Sequence, residues 1–147
     1  MRTTLALMSL FLLTSAAESK VLTRCGGSNG YAYFFQGPLV PKDKAGWQSD
    51  GIAGGSIQLI MAGDDFDIVY TDTMGSKSYR AEGFNVRLVQ AKGDLATLLL
   101  THDGTRVIEY YTFQLDSNGH GIVIWGTIRA ESAIAKNSIY HSICKPP

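Results

Sequence analysis

Ser28 lies at the centre of GGSNG, residues 26–30, and satisfies G-x-S-x-G, the spacing that holds a serine on a sharp turn as a nucleophile. That chemistry needs a buried strand before the serine, a helix after it, and a parallel sheet that delivers an acid and a histidine. Here YAYFF follows at once, which is a strand pattern, and the preceding KVLTR is short and polar. Ser28 is therefore expected in a turn, without a nucleophile's role. The other candidates fall for similar reasons. His102, His120 and His141 are too scattered to form a local metal pair, and a zinc site needs three or four converging ligands. DDFDIVYTDTMG, starting at Asp64, lacks the glycine at its sixth position and the glutamate at its twelfth that shape a calcium loop. Asp64, Asp65 and Asp67 read as a solvated hairpin. DGIAGG, residues 50–55, is followed by a strand and carries no lysine, so it lacks the helix start that cradles a phosphate. No catalytic residue, metal or cofactor is assigned.

One residue resists a bland reading. In VIEYYTFQL, residues 107–115, a period of two places Glu109 on the same face as Val107, Tyr111 and Phe113. That face is expected to point inward, where a lone carboxylate is costly unless it finds a partner or faces a pocket. Arg87 and Arg129 are the candidate partners. Glu109, Tyr111 and Phe113, with Trp47 from a glycine-rich stretch, form the expected ligand-binding set.

The elements that would position these residues are strands. Apolar residues alternate over short runs at 31–36, 56–61, 66–71, 84–90, 96–101, 107–115, 121–129 and 138–144. AGDD, AKGD, HDGTR and DSNGH separate several of them, and their Gly, Asp and Asn residues tolerate the positive φ of hairpin turns. Short links make neighbours antiparallel. The expected fold is all-β, an antiparallel meander of about eight strands in a small closed or partly open barrel, with a two-sheet sandwich as the alternative. Inward sets are Ile57, Leu59 and Met61; Phe66, Ile68 and Tyr70; Phe84, Val86 and Leu88; Leu98 and Leu100; and Ile122 and Ile124, with Trp125 outside. Residues 37–55 read as a long loop, and ESAIAK, residues 131–136, as a short helix.

Compartment follows from the ends of the chain. Arg2, the apolar run Leu5 to Leu13, and the small residues Ser15 and Ala17 have the form of an export signal. The expectation is a cleaved signal peptide at 1–17 and a single domain at 18–147, with no stable membrane insertion after cleavage, since a helical span needs about 20 apolar residues. In a periplasmic or extracellular setting the two cysteines, Cys25 and Cys144, are expected to pair. Thirteen basic residues balance thirteen acidic ones, with no lysine-rich run, so nucleic acid is not an expected partner.

These features together suggest an exported, non-catalytic binding module that holds a small apolar or amphipathic ligand in its barrel. The alternative is a secreted or periplasmic protein-binding or inhibitor domain that acts through loops 37–55 with Trp47 as anchor. An enzyme is the third and weakest reading, because no nucleophile, base and orienting group assemble from the sequence.

Overall fold

A computed structural model describes residues 19–130 and 133–147. The expected signal segment, and Glu131 and Ser132 of the expected short helix, lie outside the described residues. The described residues form eleven strands: β1 (Ser19–Cys25), β2 (Ser28–Phe34), β3 (Gly46–Ile52), β4 (Ser56–Ala62), β5 (Asp65–Asp72), β6 (Gly75–Ser78), β7 (Asn85–Lys92), β8 (Leu95–His102), β9 (Val107–Leu115), β10 (Gly121–Arg129) and β11 (Lys136–Lys145). A 3-10 turn, Lys42–Lys44, precedes β3. The strands join one antiparallel sheet, curled into a half-barrel: nine run in the order β6, β5, β4, β1, β11, β10, β9, β8, β7, and β2, paired with β11, carries β3 off this path.

The sheet forks at Gly26 and Gly27. β1 and β2 run along the same edge of β11, Cys25 facing Cys144 and Asn29 facing His141, but β1 continues to β4 whereas β2 carries β3. Glycine is required at the crossing: a Cβ on Gly27 would stand 2.8 Å from the Ala53 carbonyl oxygen. The four sequence-predicted connectors are all turns, and Gly63 and Gly93 adopt the positive φ that two-residue hairpin turns demand.

Several sequence expectations need correction. Residues 46–52, assigned to a loop, form β3, and β1 and β6 are additional strands. Their polar sequences show no alternation, and ladder hydrogen bonds to β2, β4, β11 and β5 hold them. Ser28 opens β2 and is buried, so it is not a turn residue. Residues 133–135 contain no helix, and Lys136 already starts β11. On β10 the inward set is Val123, Trp125 and Thr127, while Ile124 and Ile128 face outward. Leu88 is exposed beside a register shift on the edge strand β7.

At one end the half-barrel is filled. Leu59, Ile68, Leu98, Phe113 and Val123 are fully or almost fully buried there, each contributing about 1.5–3 kcal/mol by leaving water. The Cys25–Cys144 disulfide is part of the same core and locks β1 against β11.

The two edges of the sheet meet without a strand ladder. Residues 79–84 cross from β6 to β7, with Tyr79 N–H donating to the Ile68 carbonyl and Phe84 N–H to the Tyr79 carbonyl. The Arg80 guanidinium donates from Nε to the Phe66 carbonyl of β5 (2.8 Å) and from Nη2 to the Val86 carbonyl of β7 (2.9 Å). One planar fork thus satisfies carbonyls on both edges, a geometry that the single ammonium of lysine does not reproduce. Asp67 steadies this strap by accepting from Ser78 Oγ and from the Arg80 N–H.

Two outcomes test this construction. Replacing both cysteines with serine should lower the thermal midpoint by about 10 °C, because the bond closes a long loop; an unchanged melting curve would show that the strand pairing alone holds the ends. Arg80→Lys and Arg80→Ala should each cost about 1–2 kcal/mol, since a partly exposed charged donor leaves two carbonyls unpaired. Amide exchange should then accelerate along 79–86 first, with β9 to β11 keeping their protection.

Candidate functional site

The opposite end of the half-barrel is hollow. A cavity of about 430 Å³ lies between the start of β9, the end of β10, the start of β4 and the strap, within the size range of small-molecule sites. Glu109, Tyr111, Trp125, Tyr79, Phe84 and Ser28 form its deep wall, and exposed Ile52, Asp72, Thr105 and Arg129 reach its rim.

Glu109 organises the wall. Its side chain faces inward from β9 and is 2% exposed. Tyr79 from the strap donates its phenol proton to Glu109 Oε2 at 2.5 Å, and Tyr111 donates to the same oxygen at 2.9 Å. The two phenol oxygens are themselves 2.9 Å apart. The second carboxylate oxygen, Oε1, faces Arg129 Nη2 at 3.7 Å, beyond a direct hydrogen bond. Burial raises both phenols, and the adjacent Glu109 charge raises them further, Tyr111 well above its ordinary value. Both therefore stay protonated as donors.

Beside this cluster stands a row of rings. Tyr111 stacks on Trp125 at 5.5 Å and Trp125 on Tyr140 at 4.4 Å, so both faces of the indole are covered. The indole N–H donates to Ser28 Oγ at 3.0 Å, and Ser28 Oγ shares a 2.6 Å hydrogen bond with Ser142 Oγ. Ser28 is thus a buried bridge between β2, β10 and β11. Tyr140 extends beyond the row to donate to Asp50 Oδ2 at 2.6 Å, the atom that also pairs with Lys136. Burial works to raise the Asp50 carboxyl but is outweighed by these bonds, leaving it below its usual value.

Of the sequence-predicted ligand residues, the structure brings Glu109 and Tyr111 to the cavity. Phe113 lies one step deeper in the filled end, stacked against Tyr111 at 6.4 Å. Trp47 is remote, 67% exposed on β3 and packed edge-on against Tyr33. Arg129, not Arg87, is the arginine that approaches Glu109. The sequence pattern points to neither Tyr79 nor Trp125: Tyr79 sits in a polar connector, and the alternation of β10 puts Trp125 on the outer face, whereas the structure buries both at the cavity. A phenol in a connector bordered by Ser78 and Arg80 carries no periodic signal. Among the described residues, no three His, Cys, Asp or Glu side chains gather closely enough to hold a metal ion.

Comparison of the chain with protein-family models, with curated proteins and with solved structures finds no match.

The phenols make stability depend on pH with a defined sign. Each is raised in the folded state above its ordinary value of 10.0, so the folded state holds the proton more tightly than the unfolded state. The stabilisation is complete below about pH 10 and is lost as pH rises beyond it, by about 1.4 kcal/mol per unit for each such tyrosine. Denaturant midpoints should therefore fall steeply above about pH 10, and Tyr79→Phe or Tyr111→Phe should make that fall shallower while costing about 1–3 kcal/mol at neutral pH. An alkaline limb of unchanged slope in both variants would contradict the assignment.

Proposed function

We propose that this chain is an exported, non-catalytic binding module that holds a small amphipathic ligand in the mouth of its half-barrel. The observation that carries the reading is the cavity of about 430 Å³ with a polar cluster set deep in a wall that also carries Trp125, Phe84, Tyr70 and Ile57. An apolar pocket with a few convergent polar groups is the ordinary form of a ligand site. A barrel filled to both ends would have favoured surface binding instead. A non-catalytic role is supported by the state of Ser28, whose oxygen already accepts the Trp125 N–H and is bonded to Ser142. Export to a periplasmic or extracellular space is supported by the form of residues 1–17 and by the Cys25–Cys144 bond. No helix among the described residues is long and apolar enough to cross a membrane.

A second reading, a protein-binding or inhibitor domain, draws on the aromatic cluster Tyr33, Phe35 and Trp47 on the β2–β3 hairpin and the chain following it. Trp47 and Phe35 pack edge-on against Tyr33 and remain exposed, and exposed aromatic anchors are common in protein interfaces.

Native mass spectrometry of protein purified from its own source separates the two. A retained small molecule that is lost in Val107→Trp, which fills the mouth one step above Glu109, supports the ligand reading. A stoichiometric protein partner lost in Trp47→Ala, with no small molecule retained, supports the second reading and removes the first.

A further inference from the structure

The hydrogen-bond inventory of the cavity defines the chemistry of what it takes. Both phenol protons of the deep wall are directed to Glu109 Oε2, and the indole proton is directed to Ser28. What the deep wall offers inward is therefore acceptor capacity, above all Glu109 Oε1. The nearest cation to that oxygen is Arg129 at 3.7 Å, on a side chain 47% exposed at the rim. A carboxylate this buried gains most from a donor that also brings positive charge. The aromatic wall adds a shape requirement. With both faces of Trp125 covered by Tyr111 and Tyr140, the indole presents its edge to the cavity. Ring edges carry partial positive charge and pack best against the face of another ring.

Resting on the ligand reading above, we propose that the cavity selects a flat aromatic ring bearing an alkylamine chain: its ammonium donates to Glu109 Oε1, and its ring face lies against the edges of Trp125 and Tyr111. An anionic ligand of the same shape meets the Glu109 carboxylate at the deep wall and is excluded. A neutral alcohol keeps the apolar contacts and one donor but lacks the charge. Arg129 competes with the ligand ammonium for the same oxygen and acts as a gate on affinity.

The test uses three probes with one ring system and one linker, tryptamine, tryptophol and indolepropionate, titrated calorimetrically into the oxidised protein. Wild type should bind tryptamine at least about tenfold more tightly than tryptophol, the size of a charge-assisted hydrogen bond, with indolepropionate weakest. Glu109→Gln should bring tryptamine and tryptophol to within about twofold of each other, and Arg129→Ala should strengthen tryptamine several-fold by removing its competitor. Tightest binding of indolepropionate, or an amine preference that survives Glu109→Gln, overturns the amine assignment and leaves the ligand reading standing. If none of the three binds folded wild type, this inference falls, and the retained molecule sought by native mass spectrometry decides the ligand reading separately. Should Glu109→Gln fail to fold, Arg129→Ala decides, since unchanged or weaker tryptamine binding there overturns the proposal.

Discussion

A carboxylate inside an apolar sheet has to be satisfied, and the hydrogen bonds from Tyr79 and Tyr111 to Glu109 meet that requirement here. An isolated buried charge would be expelled or neutralised. Tyr111 comes from the same strand and is supplied by local geometry. Tyr79 comes from the strap that joins the two edges of the sheet, so Glu109 Oε2 receives both of its donors only when the half-barrel has curled around it. The site and the fold are thus coupled through a single oxygen atom.

The remainder of the architecture holds that closure in place from two sides. At the seam, Arg80 spans carbonyls of β5 and β7 where a strand ladder is missing. Across the barrel, the disulfide fixes β1 to β11, and the buried Trp125, Ser28 and Ser142 chain ties β10, β2 and β11 together two to three residues away. Between these clamps the interior is divided. Aliphatic and aromatic side chains fill one end, while the other holds the cavity of about 430 Å³. Hydrogen bonds and ring stacking already position its deep wall, and a preorganised wall costs little free energy of ordering on binding.

Much of this was legible in the sequence, and the exceptions have physical causes. β9 reads cleanly because Val107, Glu109, Tyr111 and Phe113 alternate with residues of the other face, and the odd carboxylate announces itself. β10 reads in the wrong phase because both of its faces are apolar: the outward Ile124 and Ile128 are as hydrophobic as the inward Val123 and Trp125. β3 and β6 are polar and gain their order from neighbouring ladders, which a single-strand pattern does not register. Tyr79 is the deepest omission. Its importance arises only when the strap brings it against a residue 30 positions further along, and no local period encodes that encounter. The cysteine pair, by contrast, needed only an oxidising setting and two residues.

The account turns on the Tyr79 to Glu109 contact, and a double-mutant cycle measures it directly. Stabilities of wild type, Tyr79→Phe, Glu109→Gln and the double variant, taken from denaturant unfolding at neutral pH, give the coupling energy between strap and carboxylate. A coupling of about 1 kcal/mol or more, with the double variant less unstable than the two single losses added together, is the predicted result. Strict additivity of the two losses would mean that the strap closes the half-barrel without reference to the buried carboxylate, and would contradict the account.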